Sequence, residues 1–237
     1  MTTANKFSRF HPRQSDRTRF RRPRAIVRAL EQSVSGYVSP AVGKKNVTNH
    51  DPFNILIAAV LSARTRDTAT EVAARQLFRR ARTPKALLDL SEQEIAQLIR
   101  PVGMYPTKAR WLRQIARILL ERHRGQVPHT LEQLLALPGV GRKVANLVLG
   151  LAFHVPAICV DTHVHRISNR LGLVRTQRPE ETEQALGRVL PRDLWIQWND
   201  LLVTWGQNVC VPISPRCSQC VLYHRNLCPR VGVRTSR

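Results

Sequence analysis

The sequence is short of acid: 16 Asp and Glu stand against 38 Lys and Arg in 237 residues, a formal net charge of +22. Charge on this scale pushes a compact chain apart unless a polyanion neutralises it, and nucleic acid is the usual one. Long apolar runs are missing too. The best of them, Ile55 to Leu61, falls well below the roughly 18 residues that span a bilayer. The first residues carry no apolar stretch of a secretory signal, so the expectation is a soluble protein of the cytoplasm or nucleoid with no membrane partner. A basic membrane anchor fits badly, because the cations are spread along the chain and none gathers on an amphipathic helix. Aromatic residues make up only 5% and alternating apolar and polar runs are scarce, which leaves little from which to build a sheet.

What is present is enough apolar residue, 43%, to bury one large core or two small ones. Residues 1–24 hold eight Lys or Arg and a single acid, Asp16, with no apolar periodicity; they read as a disordered basic arm or a plain solvated tail. A short helical pattern runs from Ala25 to Ser35, and a turn-rich segment follows to Pro52. The rest reads as consecutive helices. Asp51-Pro52 opens one that runs to Ala63, and Asp67 opens the next. Thr83-Pro84, the Ser91 and Glu94 pair, and the Thr130 and Gln133 pair each mark a helix start. Helical patterns also cover Lys108 to Arg122, Arg142 to Phe153, Asp161 to Leu171, Glu180 to Val189 and Asp193 to Trp205. The class expected is all-α.

Cysteine is used sparingly and unevenly. Cys159 stands alone, whereas Cys210, Cys217, Cys220 and Cys228 fall within 19 residues. Without secretory context, such crowding argues for metal ligation over a disulfide framework. The spacing x6, x2, x7 contains one CxxC, where a zinc ribbon commonly supplies two. On ligand chemistry alone, four thiolates suit zinc or a [4Fe-4S] cluster about equally.

The stretch LPGVGRKVANLVLG (Leu137 to Gly150) brackets Val140 between Gly139 and Gly141 and then places Arg142 and Lys143 at the start of an otherwise apolar helix. Both glycines are free to adopt positive φ, so the turn can be tight and its amides can face outward as an anion site. A simple turn between helices accounts for the glycines equally well. The lysine is harder to explain, because a cation in the first turn opposes the helix dipole. That position, beside Arg142 and over an apolar face, disfavours the protonated amine and favours a nucleophile. PVGMYPTKARWL (Pro101 to Leu112) is a loose echo of the motif, which makes Lys108 a rival for the role. Asp161, in VDTHVHRISNRLGL, reads as a helix N-cap whose carboxylate can also govern the lysine's proton state. His163 and His165 are two apart, so a helix turns them to different sides and they do not suggest a metal site.

The hairpin motif, the Val160 to Leu173 segment and the four cysteines together resemble the endonuclease III family of helix-hairpin-helix DNA glycosylases, from about Ala25 to Val233. The resemblance implies Lys143 as nucleophile, Asp161 as essential carboxylate, and a bifunctional glycosylase and abasic-site lyase. It favours a [4Fe-4S] cluster on Cys210, Cys217, Cys220 and Cys228 over zinc. The family's usual last cysteine interval is five residues, so the seven here imply that VLYHRNL loops out.

Gly139, Val140, Gly141 and Arg142 are then expected at DNA, with Arg216 presented to phosphate by the cysteine loop. Arg64, in AVLSARTRD, stands where the family commonly has a glutamine in the first of two insertion loops; it takes part in recognition or is a solvated loop arginine. The expected layout is a helical barrel over 47–153 and a cluster-containing domain from 25–46 and 154–237, with the DNA cleft between. The expected partner is duplex DNA with oxidised pyrimidines or abasic sites, bound by a monomer. Alternatives are a mismatched- or deaminated-base glycosylase or abasic-site lyase of the same fold, and a non-catalytic DNA-binding module with a structural metal centre.

Overall fold

The computed structural model describes residues 21–37 and 39–237; most of the expected basic arm, 1–20, lies outside them. Among the described residues every regular element is helical, and no strand occurs. No helix among them is long and apolar enough to cross a membrane.

The first described helix, α1 (Arg21–Glu31), begins ahead of the pattern that the sequence shows from Ala25. Arg22 donates to the carbonyls of Leu171 and Leu227, and Arg24 forms a forked pair with Asp193. Partners so distant along the chain leave no local signature, so cations that read as part of an arm are helix anchors. A 3-10 turn (Ala41–Gly43) and the short α2 (Lys45–Thr48) lead into α3 (Pro52–Ser62). Asp51 caps α3 by accepting from Asn54 N at 2.9 Å.

Next come α4 (Asp67–Phe78), α5 (Pro84–Leu88) and α6 (Glu92–Leu98). Thr83 caps α5, and Ser91 with Glu94 forms the reciprocal capping box expected for α6. Then follow α7 (Tyr105–His123), α8 (Leu131–Leu135), α9 (Arg142–Phe153), α10 (Thr162–Arg170), α11 (Pro179–Val189), α12 (Trp195–Asn208) and the one-turn α13 (Val221–His224). The x7 interval between Cys220 and Cys228 therefore does not loop out. It winds into α13, buries Leu222 against the core, and closes with Leu227 N donating to Leu222 O at 2.8 Å.

Burial divides between two hydrophobic clusters. One is centred on α3, buried at every residue from Phe53 to Leu61, and is completed by side chains from Val42 through Leu149. A helix apolar all round must lie inside, and the others surround it. The other gathers Ile26 to Leu30 of α1 with Ile158 to Leu222. The described part of the chain thus enters one cluster with α1, builds the other, and returns through the segment after His154, whose left-handed φ of 52° ends α9. That return carries the chain from Lys143 to Asp161.

Candidate functional site

A cleft of about 1100 Å³ lies between the clusters and is lined from both sides. Gly139, Gly141 and Lys143 come from the α8–α9 hairpin, Asp161 and His163 from the start of α10, and Arg64 to Thr68 from the α3–α4 turn. The two residues singled out for chemistry, on separate helices, thus open onto one space.

The hairpin uses its glycines differently from each other. Gly139 has φ 73°, and a methyl there would stand 2.4 Å from Trp111 Cε3. Gly141 has φ −90° and does not use the freedom that the sequence allows it, and a methyl on it would meet nothing within 4 Å. Its N-cap position asks only for extended backbone. The lack of a side chain leaves the helix N-terminus bare, as an approaching phosphate requires. Val140 is buried and anchors the turn in the core. Arg142 is exposed, and its Nε donates to both carboxylate oxygens of Glu183 on α11 at 3.0 and 2.9 Å; the sequence reading missed this partner.

The crossing from Lys143 to Asp161 is fixed by buried amides. Asn146 Nδ2 donates to Ile158 O at 3.0 Å, and Asn199 Nδ2 donates to Cys159 O at 3.1 Å. Burial pushes the Cys159 thiol up to about 12, despite the nearby Lys143 cation, so it remains S–H and faces Lys143 O at 3.5 Å. Asp161 is an N-cap: its Oδ1 accepts from His163 N and Val164 N, both at 2.9 Å. Burial holds His163 below the ordinary imidazole range, and its Nδ1 lies 3.1 Å from Arg166 Nη2. His165 Nδ1 instead meets the Thr182 hydroxyl at 2.7 Å, so the two histidines do turn apart. Farther along the cleft, burial and the Asp67 carboxylate push Asp200 up.

Lys108, the rival lysine, is buried. Its Nζ donates to Leu61 O and Ala63 O at 2.7 Å and to Thr65 Oγ1 at 3.0 Å. An ammonium whose three N–H groups are all engaged is no nucleophile. Its neighbour Met104 is half exposed at φ 57°, a position the sequence reading overlooked. Arg64, φ 55° and exposed, lies close by, with its carbonyl 3.5 Å from where a methyl on Gly103 would stand.

Cys210, Cys217, Cys220 and Cys228 line one small cavity together with Arg170 and the exposed Arg216. All are free thiols, and burial pushes those of Cys220 and Cys228 up. Backbone amides of Leu222 and Tyr223 face the Cys220 sulfur, and that of Arg230 faces Cys228. The buried Trp205 Nε1 lacks a close hydrogen-bond partner and also faces Cys220. Arg170 Nη1 reaches Cys210 Sγ at 3.4 Å and Val211 O at 2.8 Å. Donors trained on sulfur suit bound thiolates. Among the described residues no group of three His, Cys, Asp or Glu is placed to hold a metal ion. Four thiols around a shared cavity, with donors aimed at their sulfurs, suit ligation of a thiolate-bound metal centre.

Comparison with known proteins concerns the chain and its fold. The model of the HhH-GPD superfamily base excision DNA repair protein matches residues 57–192. Endonuclease III of Thermotoga maritima is 51% identical over 75% of this chain and 84% of its own. A non-covalent endonuclease III–DNA complex superposes with a TM-score of 0.77 at 34% identity, over 89% of this chain and 95% of that one. A trapped endonuclease III–DNA covalent intermediate, the estranged-adenine complex, gives 0.70 at 39% identity, over 76% and 84%.

Proposed function

The chain belongs to the endonuclease III family of the HhH-GPD superfamily and is a DNA glycosylase of base excision repair; from this premise we propose that it is bifunctional, excising oxidised pyrimidines and cutting the strand at the resulting abasic site. The observation that carries the reading is that Lys143 and Asp161 open onto one cleft between two hydrophobic clusters. A glycosidic carbon cannot be reached within the base stack, so the damaged nucleotide is turned out into that cleft. The Lys143 amine attacks C1′, the base departs, and the Schiff base that forms permits β-elimination of the 3′ phosphate. Asp161, held by two amides, supplies a fixed negative charge to the cationic sugar and governs the proton on the lysine.

One lobe is 47–153, which also receives Val42 from the preceding turn, the other takes the start of 25–46 with 154–237, and a monomer binds duplex DNA between them. Hairpin amides around Gly141 and the cations Arg142 and Arg216 meet phosphates. Arg64 and Met104, at adjacent left-handed tips, enter the duplex where the base has left; an exposed apolar tip is the usual wedge. Cys210, Cys217, Cys220 and Cys228 would hold a [4Fe-4S] cluster, whose chemistry here is to cross-link the loop that carries Arg216. Borohydride trapping across duplexes bearing an oxidised pyrimidine, a mismatched base or an abasic site tests the reading. Trapping on the oxidised pyrimidine supports it, and trapping on the abasic duplex alone makes the protein chiefly a lyase.

A further inference from the structure

Lys108 has no place in the chemistry above, yet it is among the largest fully buried side chains of the protein, only 2% exposed. Burying an ammonium is costly unless every N–H finds an acceptor. Its acceptors all lie on the segment that ends α3 and carries Arg64: Leu61 O, Ala63 O and Thr65 Oγ1.

That segment cannot satisfy itself. At the end of α3 the chain tightens: Ala63 N turns back to Val60 O at 3.3 Å, and Thr65 N turns back to Ser62 O at 3.1 Å. Leu61 O, whose helical partner would be the Thr65 amide, is thereby left for an outside donor. Between Ala63 and Thr65, Arg64 adopts φ 55°, a conformation unfavourable for a side-chain-bearing residue that persists only where neighbours enforce it. Thr65 Oγ1 donates to Ala63 O at 3.3 Å while accepting from Lys108, so the ammonium, the hydroxyl and the carbonyl form a ring around the arginine's backbone. The C-terminal end of a helix is also where a cation is favoured. Burial lowers the Lys108 pKa to about 8, which leaves it protonated at neutral pH.

We infer that Lys108 is a positioning residue for lesion recognition: its ammonium clamps the Ala63–Thr65 turn so that Arg64 stands ready at the mouth of the cleft. The inference rests on Arg64 taking part in recognition, as read above. Lys108 touches neither DNA nor the reacting sugar; it acts through the arginine.

The test is a double-mutant cycle on the full chain. Binding is measured to a duplex carrying a tetrahydrofuran abasic-site analogue and to the same duplex undamaged, for wild type, Lys108→Met, Arg64→Ala and the double variant. Far-UV circular dichroism and iron content verify folding. Lys108→Met is expected to lower the preference for the analogue about tenfold, as loss of a charged hydrogen-bond set would. The double variant is expected to fall no lower than Arg64→Ala, and the single-turnover rate of Lys108→Met at saturating enzyme to stay within about twofold of wild type.

A merely structural lysine would weaken binding to both duplexes equally or add its full effect on top of Arg64→Ala; either result overturns the inference. If Lys108→Met does not fold, Thr65→Val decides, since it removes one acceptor and leaves the ammonium in place. A smaller loss of preference, absent in the Arg64→Ala background, supports the clamp, and an unchanged preference overturns it. An Arg64→Ala protein with wild-type preference refutes the recognition role of Arg64 itself and the clamp with it, a failure visible in that arm alone.

Discussion

At the scale of single residues, two roles meet in Asp161, and substitution separates them. An asparagine retains an oxygen for the His163 and Val164 amides that Oδ1 now serves, and it is as good an N-cap as aspartate. Asp161→Asn should therefore unfold close to the wild-type midpoint yet release base at least about 10²-fold more slowly in single turnover, because a positioned carboxylate has been neutralised. Asp161→Ala should lose the rate and also about 1 kcal/mol of stability with the cap. Equal rates for Asp161→Asn and wild type would leave the carboxylate with capping alone. The cap was legible in the sequence, since an Asp-Thr before a helical pattern is a local signal. The partners that fix its neighbourhood were not. Asn199, Glu183 and Lys108 meet Cys159, Arg142 and the α3 end across long stretches of chain, and no periodicity marks such pairs.

At the scale of the element, the hairpin between α8 and α9 is where sequence and structure part most usefully. Helix starts at Asp51, Thr83 and Ser91 follow from local capping chemistry and form as the sequence implies. The two glycines looked alike, yet only Gly139 uses a conformation that favours glycine. This gives opposite expectations for the same substitution. Gly139→Ala must strain its backbone and displace Trp111, so it should lower stability by at least about 1 kcal/mol. Gly141→Ala has room for its methyl and should fold normally. Its methyl would stand between the helix N-terminus and a phosphate, so affinity for duplex DNA should drop with little change in unfolding temperature. A Gly141→Ala protein that binds DNA as wild type does would remove the hairpin from the interface.

At the scale of the whole molecule, the sequence carries a net charge of +22, and the two hydrophobic clusters stand on either side of a cleft whose lining mixes cations with carboxylates. The composition made the partner legible. The division into two clusters was legible only through the resemblance, because α1 reaches its cluster across the full length of the other. The cysteine region ties that second cluster together: Arg170 ends α10, which Asp161 begins, and its guanidinium holds Val211 O at 2.8 Å and Pro212 O at 2.6 Å. Anaerobically purified protein should contain about four irons per chain, with broad absorbance near 400 nm. Cys159→Ser should leave that content unchanged, since Cys159 lies in the cleft lining rather than the cysteine cavity. Stoichiometric zinc without iron would refute the cluster.

The central claim is that the Lys143 amine forms the covalent bond to the sugar, and trapping with borohydride on an abasic duplex tests it most directly. Wild type and the buried-lysine variant Lys108→Met should both yield a trapped protein–DNA adduct. Lys143→Ala should yield none while still binding the duplex, because hairpin amides and arginines carry most of the affinity. An adduct that persists in Lys143→Ala, mapped by peptide sequencing to another residue, would contradict the account.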